Sequence, residues 1–136
     1  MKPIYGKIVL TNGVFDVLHY GHLLYLQAAS RMGHLAVAVT RNRSVNKGPH
    51  RPTNDEKHRL ALIRELRCVD EAFLVDDPIE AFKLIDPDIF VKGKDYKNSI
   101  QKVHRDYCIE HGIQIRFTNT PIFSATKIIN DRLRYG

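Results

Sequence analysis

Residues 7–40 read KIVLTNGVFDVLHYGHLLYLQAASRMGHLAVAVT and alternate a strand pattern, a helix pattern and a second strand pattern. Lys7 to Thr11 is a short apolar run that stops at Asn12-Gly13, as a strand stops at a turn. Gly21 to Met32 has the apolar density of a packed helix (Leu23, Leu24, Leu26, Gln27 to Ala29), and Gly33 closes it. Leu35 to Thr40 is continuously apolar, the pattern of a strand covered on both faces.

The same alternation continues outward. A polar loop with Gly48, Pro49 and Pro52 leads to Thr53 and Glu56, whose spacing predicts a capping box and a helix running to about Arg67. Leu60, Ile63 and Leu66 keep helical spacing within it. Ala72 to Val75 is a third strand. Asp77 followed by Pro78 predicts an N-cap and a helix to Ile85, stopped by Pro87. Ile89 to Lys92 is a fourth strand and Gly93 opens a loop. Ser99 is expected to cap a helix to His111, ended by Gly112. Ile113 to Phe117 is a fifth strand, and a last helix is expected from Ser124 to Arg134. Strands alternating with helices predict an α/β fold, a single Rossmann-like domain over 1–136. Its sheet is expected to be five-stranded and parallel with helices on both faces. Such sheets bind ligands beyond the carboxyl ends of their strands, near the switch point in strand order.

A chain of 136 residues has room for one domain and can bury a core without staples. No apolar run approaches the roughly 18 residues of a membrane helix, and no apolar segment follows Lys2 and Lys7 as a secretory signal would. Cys68 and Cys108 lack metal or redox spacing and read as reduced packing residues, so the expected setting is the cytoplasm. The net charge is 21 − 15 = +6, and it is unevenly placed. Residues 65–88 are acidic, whereas 41–59 carry Arg41, Arg43, Lys47, Arg51, Lys57 and Arg59. A second basic stretch runs from Lys92 to Arg105. This pattern suggests an anionic ligand on one side of the molecule. No RNA-binding aromatic signature accompanies the basic stretches, so neither a nucleic acid nor a membrane is the expected partner.

The chemistry concentrates in Thr11-Asn12-Gly13-Val14-Phe15-Asp16-Val17-Leu18-His19-Tyr20-Gly21-His22, where the first strand hands over to the first helix. Gly13 permits a turn where a side chain would obstruct a ligand. His19 and His22 are three apart at the helix start and can share a face. Gly21 leaves space for a phosphate, and the helix N-terminus offers free N–H groups and a positive dipole end. Asp16 can cap the turn that shapes this site. A zinc set of Asp16, His19 and His22 lacks any further Cys/His cluster, so no protein-held metal is expected.

These residues resemble the GxFDxxHxGH signature of the cytidylyltransferase-like nucleotidylyltransferases. Val91-Lys92-Gly93-Lys94-Asp95-Tyr96 resembles the VKGGDY segment of the nucleotidyl-transferring domain of bacterial ADP-heptose synthases, and Phe123 to Ile129 resembles the family's final STT segment. Lys94 stands where those enzymes have glycine, and Ala125 where a hydroxyl is usual. Asn119-Thr120-Pro121-Ile122 replaces the Arg-Thr-Glu-Gly of glycerol-3-phosphate cytidylyltransferases, which favours the heptose branch.

The resemblance implies transfer of a nucleotidyl group from an NTP, ATP favoured, to a sugar phosphate such as heptose 1-phosphate, with release of pyrophosphate. CTP-dependent transfer to glycerol 3-phosphate or another polyol phosphate is the alternative. It implies His19, His22, Lys47 and Arg59 as catalytic residues, with Arg59 on the β/γ-phosphates. Thr11, Asn12, Gly13, Phe15, Gly21, Lys92, Gly93, Asp95, Ser124, Ala125 and Thr126 would bind the nucleotide. Mg²⁺ is expected with the triphosphate, and a homodimer is the expected assembly.

Overall fold

The computed structural model describes residues 6–121, so the expected helix from Ser124 to Arg134 lies outside the described residues. Within them the elements run β1 Ile8–Gly13, α1 Tyr20–Ser30, β2 His34–Thr40, α2 Glu56–Arg64, β3 Glu71–Val75, α3 Pro78–Ile85, β4 Ile89–Gly93, α4 Lys102–Glu110 and β5 Gln114–Thr118. Short 3₁₀ turns follow β2 (Asn42–Ser44) and β4 (Lys94–Tyr96). The strands form one parallel sheet in the order β3-β2-β1-β4-β5. Strand order therefore reverses between β1 and β4. Among the described residues no helix is long and apolar enough to cross a membrane.

Alternation along the strands builds two cores. Val9, Leu35, Val37, Val39 and Val91 face Leu26 of α1 and Ile63 of α2. Leu10, Ala36, Ala38 and Phe90 face Phe82 of α3 and Cys108 of α4. Small residues on the second face of β2 leave room for the Phe82 ring, which meets Phe90 edge-on at 4.9 Å. Helices thus cover both faces, as the continuous apolar strands require. Both cysteines are free thiols.

The start and end of α2 and the start of α4 differ from the local signals, and at the α2 start distant groups take the polar atoms. The Thr53–Glu56 capping box does not form. Thr53 N–H donates to Asp16 Oδ2 at 2.7 Å, and the Glu56 carboxylate accepts Asn42 N–H at 2.8 Å. Asp55 is instead the residue before α2, and the helix ends at Arg64 rather than Arg67. Ser99 likewise caps nothing: its N–H closes the 3₁₀ turn onto Tyr96 O, and α4 begins only after Gln101. The Asp77 cap does form, accepting Glu80 N–H at 3.0 Å with Pro78 in the first turn. Gly33 is required where α1 returns to β2, since a Cβ there would collide with the Lys7 carbonyl oxygen.

The β1–β4 ladder pairs Val9 with Ile89 and Leu10 with Phe90 and then ends. Beyond it the two strands are joined by side chains. Tyr25 of α1 donates to Val91 O at 2.8 Å and hydrogen-bonds the Thr11 hydroxyl. Lys92 Nζ donates to Asn12 Oδ1 at 3.1 Å. The split lies at the switch point, where open parallel sheets hold their ligands.

Candidate active site

A cleft of about 340 Å³ opens over this split. Its walls come from the β1 exit (Asn12 to Asp16), the α1 start (His19, Gly21, His22, Tyr25), the loop after β2 (Lys47, Arg51), the β4 exit (Lys92 to Tyr96) and Thr120-Pro121.

The two histidines cap α1 reciprocally. His19 is the N-cap; its Nδ1 accepts His22 N–H at 3.4 Å, and His22 Nδ1 accepts His19 N–H at 3.2 Å. Their rings stack with centroids 3.8 Å apart. An Nδ1 that accepts has no proton in the neutral ring, so each neutral imidazole carries its proton on Nε2 and is a donor there. Burial lowers the His22 pKa to about 4, with help from His19 and Lys47, and burial also lowers that of His19. Both are neutral donors near pH 7. The i, i+3 spacing that marked the motif thus has a structural function as well as a chemical one. It ties the helix start to the ring orientation.

Asp16 is buried and holds the loop. Its carboxylate accepts Arg51 Nε at 2.7 Å, Thr53 N–H at 2.7 Å and Asn54 N–H at 2.8 Å. Burial raises its pKa, but the Asn54 and Thr53 amides and the Arg51 guanidinium outweigh it and leave the carboxyl below its usual value. The ion pair itself is shielded, with side-chain exposures of 8% for Arg51 and 1% for Asp16. Phe15 is held at φ 52°, its ring edge-on to His22 at 5.3 Å. Gly13 is needed because a Cβ would stand 2.9 Å from that ring, so the crowding comes from the protein's own Phe15.

Of the residues expected in the site, Asn12, Gly13, Phe15, His19, Gly21, His22, Lys47, Lys92, Gly93 and Asp95 line the cleft together. Thr11 lies beneath it, buried and bonded to Tyr25. Ser124, Ala125 and Thr126 fall outside the described residues. Arg59 is the correction. It is 1% exposed, and its guanidinium donates to Val14 O (2.8 Å), Thr40 O (2.7 Å), Asn54 O (3.0 Å) and Asn42 Oδ1 (2.8 Å). A planar guanidinium bonded along its fork is a staple between the β1, β2 and α2 ends, and it does not reach the cleft. The arginine present in the cleft is Arg51, eight residues earlier in the same basic stretch. Tyr25, Arg51 and Tyr96 also line the cleft, and local sequence does not single them out. Tyr25 sits in an apolar helical pattern that reads as core, and only Arg51's place beside Gly48-Pro49 and Pro52 set it apart from Arg59.

The charges in the cleft are Lys47, Arg51, Lys92 and Lys94 against Asp16 and Asp95, 4 − 2 = +2, with both histidines neutral. Low-dielectric walls concentrate that field on an anion. Asp16 is engaged by Arg51 and two amides. Among the described residues no group of three or more His, Cys, Asp or Glu is placed to hold a metal ion. A second hollow adjoins the first across Asn12, Val14 and Lys47, walled by Ser44, Asn46, Ile79, Gln101, Val103 and His104 among others.

The model of the family described as cytidylyltransferase-like matches residues 10–130, nearly the whole chain. The chain belongs to the cytidylyltransferase-like family. As a member it is a nucleotidyltransferase, on the α/β fold its strand pattern implies. Within this cytidylyltransferase-like family it is 48% identical over 95 residues to "Bifunctional protein HldE" of Blochmanniella floridana, covering 66% of this chain and 20% of that protein. It is 41% identical over 133 residues to the protein of that name from Azotobacter vinelandii, covering 94% of this chain and 28% of that protein. The chain therefore spans between a fifth and a third of the length of these relatives. Among solved structures, the lipopolysaccharide core biosynthesis protein of Thermoplasma volcanium GSS1 superposes with a TM-score of 0.70 at 31% identity, covering 88% of this chain and all of that one.

Proposed function

We propose that this chain transfers an adenylyl group from ATP to a sugar phosphate of the heptose 1-phosphate kind and releases pyrophosphate. The observation that carries the reading is the reciprocally capped pair of neutral imidazoles, each with its proton on Nε2, lining a cationic cleft with Lys47 at the switch point. Neutral donors and fixed cations suit a phosphorus centre that gathers negative charge. The relatives named HldE favour the heptose branch over a polyol phosphate acceptor.

In the proposed reaction an oxygen of the acceptor phosphate attacks the α-phosphorus in line. The bond from that phosphorus to the bridging oxygen breaks as the new P–O bond forms, and pyrophosphate leaves with the bridging oxygen's electron pair. No covalent enzyme intermediate is needed. His19 and His22 donate from Nε2 to the phosphate oxygens, and the α1 start adds its dipole. Lys47 lines both hollows, which supports a place between the two substrates: the nucleotide over the β1–β4 split and the acceptor in the adjoining hollow. Arg51, held by Asp16, takes the phosphate-side position expected of Arg59. Mg²⁺ enters as the counter-ion of the triphosphate, bound chiefly by phosphate oxygens and water, which fits a cleft whose Asp16 is already engaged. A cytoplasmic homodimer is the proposed setting, and light scattering at micromolar concentration checks the assembly.

The test is a pyrophosphate-release screen of four NTPs against sugar 1-phosphates and polyol phosphates. ATP with a heptose-type 1-phosphate is the expected pair. A CTP preference above about tenfold in kcat/KM, or about 1.4 kcal/mol, overturns the choice of nucleotide. Release from no pair overturns the reaction itself.

A further inference from the structure

Lys92 has an unusual environment for a lysine. It lies on β4 just past Phe90, where the β1–β4 ladder has ended. Its ammonium donates to Asn12 Oδ1 at 3.1 Å and stands 4.2 Å from the centroid of the Tyr96 ring. Both partners are uncharged, and among the described residues no carboxylate forms an ion pair with it. A half-buried cation held only by an amide oxygen and a ring face bears a desolvation cost that an anion in the cleft would offset. An ammonium has three N–H donors, and Asn12 accepts one of them. Asn12 and Lys47 each line both hollows, so the Lys92–Asn12 pair stands at their junction. Lys47, His22 and Lys92 all line the one cleft.

We propose that Lys92 is a further catalytic residue: it contacts the phosphoryl group in transfer from the β4 side, while Lys47 does so from the loop after β2. Asn12 is its positioning residue, aiming the ammonium across the strand split. The proposal rests on the nucleotidyl-transfer reading of the cleft. A loop lysine can follow a substrate, whereas one on a central strand stays put, so the pair would hold the phosphorus between a fixed and a movable cation.

The charge state of Lys92 supplies a readout. Burial lowers its pKa to about 8, Lys47 adding to the fall and Asp95 opposing it. The other groups around it are Tyr96 of the 3₁₀ turn, Tyr25 of α1 between the strands, and His104 of α4, whose own pKa Lys92 helps to lower. A lysine with a lowered pKa is charged below about 8 and loses its charge as pH rises through that value. A bound anion favours the charged form and moves the titration upward.

Two measurements test this. In the first, the whole chain is labelled with ¹³Cε-lysine and titrated by NMR with and without inorganic tripolyphosphate, Lys92 being assigned by the signal lost in K92R. The Lys92 midpoint should rise by about one pH unit with tripolyphosphate, since an adjacent opposite charge shifts a pKa on that scale; an unmoved midpoint overturns the proposal. This arm needs no turnover, so it stands even if no substrate pair releases pyrophosphate. In the second, K92M should lower kcat by about two orders of magnitude, the scale for removing one charge-stabilising donor. K92R should recover part of that loss and move the alkaline limb of kcat/KM upward from about pH 8. A K92M enzyme with normal kcat and only a raised nucleotide KM overturns the catalytic role. If K92M does not fold, the K92R limb decides: unmoved, it overturns the proposal.

Discussion

Replacing Arg59 with methionine separates a staple from a phosphate ligand. The guanidinium makes four hydrogen bonds of 2.7–3.0 Å, three of them to main-chain carbonyls at the ends of β1, β2 and the α2 approach. Methionine keeps most of the side-chain volume and removes every donor. Each buried carbonyl left unsatisfied costs about 1–3 kcal/mol, and three sum to about 3–9 kcal/mol. Water entering the gap, together with relief from burying a charge, takes the upper end away. The expected loss is therefore about 3–5 kcal/mol. At roughly 3–4 °C per kcal/mol for a chain of this size, Tm should fall by about 10–20 °C. Urea unfolding followed by circular dichroism measures the first quantity and a thermal scan the second. Activity per folded molecule at low temperature should stay within about tenfold of the parent, because Arg59 does not line the cleft. An R59M protein within about 1 kcal/mol of parental stability, but with a nucleotide KM raised tenfold or more, would refute the reasoning and return Arg59 to the β/γ-phosphates.

Other outcomes follow from the same geometry. His19→Ala and His22→Ala should each lower kcat by about two to three orders of magnitude with a smaller change in nucleotide KM, as befits donors that act on developing charge; near-normal turnover in either, measured by pyrophosphate release, removes that histidine from the chemistry. The His22 pKa near 4 lies below the unfolded value of 6.5. Its neutral burial therefore adds stability that is complete above about pH 6.5 and is lost as pH falls toward 4, by up to about 3 kcal/mol. Urea midpoints should show the parent losing stability between pH 7 and pH 4 that His22→Gln does not lose, so the difference between them shifts against the parent on acidification; parallel curves would show that His22 does not titrate this way. The loop from Arg41 to Pro52 carries Lys47 and Arg51 to the cleft, so limited proteolysis within it should slow when NTP and Mg²⁺ are added. Equal cleavage with and without nucleotide counts against its closing on the substrate.

Short-range patterns settle the order of elements, the two-sided burial of the sheet and the position of the histidine motif. These depend on signals read over a few residues: an apolar run such as Leu35 to Val39, the Asp77-Pro78 helix start, and two histidines a helical turn apart at a strand end. Local chemistry is enough there because the partners are neighbours in the chain. His19 and His22 cap each other across three positions. Tertiary structure decided which polar groups were free to serve the cleft. Thr53 and Glu56 have the spacing of a capping box, but Asp16, 37 residues away from Thr53, and Asn42, 14 away from Glu56, take their hydrogen bonds. Arg51 and Arg59 look alike in a basic stretch. One pairs with Asp16 at the cleft wall, and the other turns inward because the β1 and β2 ends offer unpaired carbonyls at Val14 and Thr40. Tyr25 reads as core until the ladder is seen to stop at Leu10 and Phe90, leaving the Val91 carbonyl for its hydroxyl. A hydrogen bond is specific to whichever partner the fold brings within 3 Å. That distance is set by the register of strands far apart in sequence, which short-range patterns do not record.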